Sequence, residues 1–288
     1  MKRFRHLIFT AALGLSALHA QAASVLVVLS DADHLDLKDG KVFPTGFYLN
    51  ELMQPVKRLL DAGHQVTFAT PGGLAPTLDK SSDDKKYFNN DDAAWRTHRA
   101  LLDALKLTSP EASPVISLAR AAQRGYGEFD ALYIPGGHAP MQDLLTSRAV
   151  GEALAAFHAA GKPTALVCHG PIALLSTLPD APAFTRALAE NGHATAQPGW
   201  IYAGYRMTVI SNAEEEIAKG LLPKGGAMKF YPQTALEQAG GKFSSNNEPF
   251  TPHIVTDREL ITGQNPASAS GVAQALLTRL ASPSVKHH

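Results

Sequence analysis

Cysteine is almost absent from this sequence: its 288 residues contain one, Cys168. No intramolecular disulfide can form, so the chain must hold itself together by packing. It also lacks an excess of charge of either sign. The 26 Lys and Arg residues are balanced by 26 Asp and Glu, and no long basic run occurs, which argues against a nucleic-acid partner. Long apolar runs are missing too. The stretch Leu7 to Leu18 falls well short of the roughly 20 residues a membrane-spanning helix needs. There is no His-Glu-x-x-His and no Cys-x-x-Cys, so the 12 scattered histidines spell out no metal site. Internal repeats and extended low-complexity tracts are likewise lacking.

Lys2, Arg3 and Arg5 form a positive start, Leu7 to Leu18 an apolar centre, and Ala20-Gln21-Ala22 a small-x-small site. This is the layout of an export signal. It predicts a cleaved segment over residues 1–22 and a mature chain of residues 23–288, periplasmic or secreted, with no membrane contact after cleavage. No cysteine lies near the cleavage site, which excludes a lipoprotein anchor. A lone thiol in an oxidising compartment is exposed to oxidation, so its local sequence matters. By itself such a residue reads as a small buried hydrophobe.

The rest is long enough for one large α/β domain with an ample core. Ser24 to Ser30, Gln65 to Thr70, Asp130 to Ile134 and Pro163 to Val167 are short, β-rich apolar runs and read as buried strands. Between them, Leu49 to Ala62 and Leu144 to Ala160 carry helical spacing and stop at Gly63 and Gly161, the usual left-handed cap. Alternation of this kind predicts a doubly wound, mostly parallel sheet with helices on both faces. Gly72 to Asp92 reads as a long surface loop. Helices are expected over Ala93 to Lys106, Val115 to Arg124, Glu214 to Leu222, Thr234 to Ala239 and Pro266 to Leu280, and strands over Arg206 to Ser211 and Glu259 to Thr262.

The informative stretch is Ala165-Leu166-Val167-Cys168-His169-Gly170-Pro171-Ile172. A buried strand runs into a polar pair and then into a helix, as in a nucleophile elbow. The helix start would lower a thiol's pKa and stabilise negative charge, and Pro171 suits a first helical turn. Tyr133-Ile134-Pro135-Gly136-Gly137-His138 also follows a core strand and should reach the same sheet edge. Its paired glycines let backbone approach a ligand and present an N–H to an oxyanion, with His138 lining the pocket. Glu51 belongs to the helix after the first strand, again at that edge. Without further context it would read as a solvated helix residue.

These segments, with Thr45-Gly46-Phe47-Tyr48-Leu49-Asn50-Glu51, Ser211-Asn212-Ala213-Glu214-Glu215-Glu216 and Thr262-Gly263-Gln264-Asn265-Pro266-Ala267-Ser268, stand in the order found in the ThiJ/PfpI superfamily. They resemble most its branch of glutathione-independent glyoxalases (glyoxalase III) and heat-shock chaperones. The resemblance spans nearly the whole chain after residue 22 and implies a flavodoxin-like sandwich. It implies Cys168 as nucleophile, His169 as general acid/base, Glu51 as the acid against the thiolate, and Glu215 as the acid orienting His169, with Glu214 the second choice. Gly136, Gly137 and His138 would bind the oxyanion or substrate.

The activity implied is conversion of methylglyoxal or a related 2-oxoaldehyde to a 2-hydroxy acid, lactate, with no metal or organic cofactor, in the manner of a hydro-lyase. The resemblance also leaves open a holdase acting on unfolded clients, a deglycase and a homodimer. A glutamine amidotransferase would need a distant His-x-Glu, but His193 leads to Thr195 and His253 to Val255.

Overall fold

The computed structural model describes residues 22–223 and 225–282. The expected export signal therefore lies outside the described residues but for Ala22, as do the terminal His287 and His288. Strand β1 (Ser24–Val28) begins just beyond it and is followed by a small hairpin of β2 (His34–Asp36) and β3 (Val42–Pro44). Helix α1 (Leu49–Asp61) then leads to β4 (Gln65–Thr70), α2 (Asp92–Ala104), β5 (Ile116–Ser117) and α3 (Leu118–Arg124). The chain returns through β6 (Ala131–Ile134), α4 (Arg148–Ala159), β7 (Thr164–Val167) and α5 (Ala181–Asn191). Strand β8 (Arg206–Met207), α6 (Asn212–Ala218), α7 (Pro232–Ala239) and β9 (Lys242–Phe243) precede β10 (Ile254–Asp257), β11 (Leu260–Gly263) and α8 (Ala269–Ala281).

Seven strands form one sheet in the order β10-β11-β7-β6-β1-β4-β5, parallel throughout except for the β10–β11 pair. This is the doubly wound α/β sheet expected. Helices cover both faces, so β6, β7 and β11 are buried along their whole length. That burial explains why they read as continuous apolar runs rather than alternating ones. Winding starts at β1, moves outward to β5, then reverses to β6. Ligands of such sheets bind beyond the carboxyl ends of the strands where the order reverses. Here that point lies between β1 and β6.

Several boundaries differ from the sequence reading for local reasons. The periodic stretch from Leu144 splits into a 3-10 turn (Leu144–Thr146) and α4, because the Ser147 hydroxyl caps α4 by accepting from the Val150 amide at 3.4 Å. Arg206 to Ser211 does not form one strand. Only its first two residues pair, with β9. Beyond them the Thr208 amide donates to Thr262 Oγ1 at 2.9 Å and the Ile210 amide to the Cys168 carbonyl at 3.0 Å. The segment is thus spent on bracing the turn after β7. The β2–β3 hairpin, α5, β9 and the antiparallel β10 have no counterpart in the sequence reading. Among the described residues no helix is long and apolar enough to cross a membrane.

Candidate active site

Strand β7 delivers Cys168 at the carboxyl edge of the sheet, and the chain turns there. The cysteine has φ of 59°, the left-handed region that non-glycine residues avoid at a cost of roughly 1–2 kcal/mol. Two backbone bonds enforce it: the Cys168 amide donates to the Gly263 carbonyl at 2.9 Å, and its own carbonyl accepts from Ile210. A conformation held from both sides is the kind found where a side chain must be aimed. The helix that follows, Gly170–Thr177, is 3-10 rather than α, with Pro171 in its first turn.

The turn places Cys168 Sγ 3.4 Å from Nδ1 of His169, although the two are adjacent in sequence. The other ring nitrogen, Nε2, lies 2.7 Å from Oε1 of Glu215 on the first turn of α6. Sulfur, imidazole and carboxylate thus stand in one line, the layout of a nucleophile, a base and its orienting acid. All three are 2–3% exposed.

Glu214 is equally buried but serves another purpose. It completes a capping box with Ser211, whose amide and hydroxyl donate to Oε2 at 2.9 and 2.8 Å. Gln264, Asn265 and the Phe250 amide supply three more donors at 2.9, 2.8 and 2.7 Å. Glu214 therefore ties together the start of α6, the Phe250 loop and the turn after β11. Glu214→Ala would leave those donors buried and unpaired, a loss of about 3–5 kcal/mol. The expected outcome is a large drop in urea-unfolding stability; a change under about 1 kcal/mol would contradict this bracing role.

Glu51, on the first turn of α1, also lies beside the thiol. Its Oε2 accepts the Gly136 amide at 2.9 Å, and Oε1 has no hydrogen-bond partner among the described residues. Tyr133 holds this turn in place, its hydroxyl donating to the Glu51 carbonyl. Complete burial pushes the Glu51 carboxyl up to about 8, only partly offset by hydrogen bonding to Cys168 and Gly136. At neutral pH this carboxyl therefore carries a proton and acts as a donor.

Burial also pushes the Cys168 thiol up, and the neighbouring Glu51 carboxylate, when charged, pushes it further. The expectation of an acidic thiol at a helix start is not met: desolvation outweighs the short 3-10 turn. The two groups cannot both be charged, so the pair retains a proton through neutral pH. The resting nucleophile is a thiol with a base, His169 Nδ1, already against it.

The Gly136-Gly137-His138 segment follows β6 and packs over this pair. A Cβ on Gly136 would stand 2.5 Å from Glu51 Oε2 and 2.7 Å from the Cys168 Cβ, so no side chain fits. Its amide is engaged by Glu51 and is not free for a substrate oxygen, contrary to the role expected of it. Gly137 has φ of 88° and lies against the Gly46 carbonyl. Among the described residues the amides of Gly137 and His169 meet no acceptor, which leaves both available to an oxyanion.

His138 is 3% exposed, tilted against His169 with ring centroids 4.2 Å apart and edge-on to Phe43 at 5.2 Å. Burial holds it neutral, its pKa well below the usual histidine value. It sits behind His169, with Nε2 3.9 Å from Glu215 Oε2, rather than on an open wall. The donor atoms of His138, His169 and Glu215 lie within 4.8 Å of one another, the spacing of a divalent-ion site. An ion there would have to displace the His169–Glu215 hydrogen bond. Two surface clefts beside β2, α5 and Lys229 do not include Cys168. From sequence, Gln264 and Asn265 stand out only as part of the Thr262 to Ser268 segment, with no bracing role; the structure makes them the bracing pair of Glu214.

The model of the DJ-1/PfpI family matches residues 42–178, from the β2–β3 hairpin through the cysteine turn. A probable glutathione-independent glyoxalase of Schizosaccharomyces pombe is 25% identical, over 90% of this chain and 98% of its own. A protein/nucleic acid deglycase of Staphylococcus aureus is 26% identical, over 89% of this chain and 79% of its own. The crystal structure of glyoxalase III from Candida albicans shares the fold, with TM-score 0.60 and 18% identity over 89% of this chain and 97% of that one. Together with the sheet order and the cysteine turn, these likenesses make residues 42–178 a match to the DJ-1/PfpI family, and the whole chain shares the fold of the glyoxalase III structure.

Proposed function

We propose that this protein is a glutathione-independent glyoxalase that converts a compact 2-oxoaldehyde such as methylglyoxal to a 2-hydroxy acid. One observation carries the reading: the line Cys168 Sγ, His169, Glu215, with spacings of 3.4 and 2.7 Å. It sits under a carboxyl that burial keeps protonated.

The thiol gives its proton to His169 Nδ1 as sulfur attacks the aldehyde carbon. Glu215 supports the imidazolium through Nε2. The carbonyl oxygen, held by the Gly137 and His169 amides, takes that proton back, and a hemithioacetal forms. Neutral His169 next moves the hydrogen from the same carbon to the second oxygen, giving an enediol, and then moves the proton of the first oxygen to the second carbon. The product is a thioester. Water cleaves it, releasing the hydroxy acid and restoring the thiol. The first carbon is oxidised and the second reduced within one molecule, so no external electron carrier enters the balance.

The near-complete burial of Cys168 and His169 favours a free small dicarbonyl over an adduct on a protein side chain, which weighs against the deglycase reading. The N-terminal export pattern would put this activity in the periplasm or outside the cell. The test is lactate formation from methylglyoxal without glutathione. The wild type should produce it, and Cys168→Ser should fall by about three orders of magnitude or more. Equal turnover by the two proteins would rule out the covalent route. A wild type with no turnover that suppresses client aggregation would promote the holdase reading.

A further inference from the structure

A 2-oxoaldehyde carries two oxygens, and the Gly137 and His169 amides serve the one on the carbon that sulfur attacks. The second oxygen gains charge as the enediol forms, and in a site closed to water it needs a donor of its own.

The Gly72 to Asp92 segment supplies a candidate. It reads as a surface loop from sequence, yet it is strapped across the entrance to α1. Phe47 and the strap exchange backbone bonds, the Phe47 amide to Thr77 and the Asp79 amide back to Phe47, both at 2.9 Å. Thr45 Oγ1 donates to Asp79 Oδ2 at 2.6 Å, and the Leu49 amide to Ser82 Oγ at 2.9 Å. The next turn, Lys85–Phe88, is capped by Asp84, whose carboxylate accepts from the Lys86 amide, and is anchored by buried Phe88 against His98.

Tyr87 lies on this anchored turn and stays half-buried. Its ring meets Tyr48 edge-on, with centroids 5.4 Å apart. Tyr48 in turn precedes α1, and its amide points to the Gly136 carbonyl at 3.4 Å. Gly136 packs directly on Cys168 and Glu51, which puts Tyr48 and then Tyr87 in one chain of contacts leading from the sulfur. Burial pushes the Tyr87 phenol up to about 12, so it remains a donor at any working pH.

We propose that Tyr87 is a substrate-contacting residue whose phenol donates a hydrogen bond to the oxygen on the second substrate carbon, with Tyr48 positioning its ring. This rests on the glyoxalase reading. The hydroxyl makes no covalent bond and transfers no proton. Its contribution grows as the enediol develops, so it belongs to turnover more than to binding.

The experiment is Tyr87→Phe, which keeps the ring and removes one oxygen. With methylglyoxal, kcat should fall about ten- to a hundredfold while KM stays within about threefold. Propanal, an aldehyde without the second oxygen, should inhibit wild type and variant with the same constant. A kcat within about twofold of wild type would overturn the proposal. So would a matching loss of propanal affinity, which would mean that the ring had moved. Failure of the glyoxalase reading shows separately, as a wild type inert towards methylglyoxal, and the proposal falls with it.

Discussion

His169→Ala is expected to lower 2-oxoaldehyde turnover by about three orders of magnitude, and Glu215→Gln by about two. His169 Nδ1 lies 3.4 Å from Cys168 Sγ, and Glu51, the other acid-base group beside the sulfur, already carries a proton at neutral pH. Because burial holds the thiol up, its proton has no other route out in the attack step. The glutamine at 215 would still accept from Nε2 and orient the ring, but would lose the charge that supports an imidazolium. The smaller effect follows from that division. His169→Ala also strands a buried carboxylate at Glu215. Its thermal midpoint should therefore fall, and rates belong well below that midpoint. Steady-state turnover and thermal unfolding of the same three proteins check this. Turnover by His169→Ala within about tenfold of wild type would remove His169 from the acid/base role.

The second large effect is the pH dependence of stability, and Glu51 sets its sign. An unfolded Glu ionises near 4.5, whereas the folded carboxyl holds its proton up to about 8. The native state therefore binds the proton more tightly than the unfolded state does. Its contribution is fully present below pH 4.5 and is lost as pH rises through 8. At a slope approaching 1.4 kcal/mol per pH unit the loss is on the order of 3–5 kcal/mol. Glu51→Gln removes the titration and keeps the shape: its amide oxygen still accepts from Gly136 and its nitrogen faces the sulfur. Urea unfolding at pH 5, 6.5 and 8 should show wild type weakening relative to Glu51→Gln across that window. Parallel curves would mean that Glu51 is charged throughout, and the thiol would then have no proton donor on that side.

Part of this site was legible because its signals are local. A short buried strand ending in three apolar residues and followed by Cys-His-Gly-Pro marks a turn at a sheet edge whatever surrounds it, and β7 and the 3-10 turn after it comply. Gly136 and Gly137 stand out for the same reason, although their division of labour does not. The Gly136 amide is taken by Glu51, which enters from a helix 85 residues earlier. Glu214 and Glu215 are indistinguishable by composition, both being acidic residues in a first helical turn. Their directions differ by the 100° step of a helix, and only the placement of α6 decides which faces His169.

The sequence by itself determined the alternation of buried strands and capped helices, hence a parallel α/β sheet, and the cysteine at the carboxyl end of one strand. These follow from hydrophobic period and from Gly and Pro chemistry, which act over a few residues. What only the tertiary structure decided are the properties that depend on distant chain segments meeting. They include the protonation of Glu51 and Cys168, which comes from how completely other elements exclude water. The docking of the Tyr87 turn over α1 is another, fixed by Thr45 and Leu49 capturing Asp79 and Ser82. Burial and long-range hydrogen bonding have no period in sequence, and in this protein they decide which acid orients the histidine and which proton leaves the sulfur.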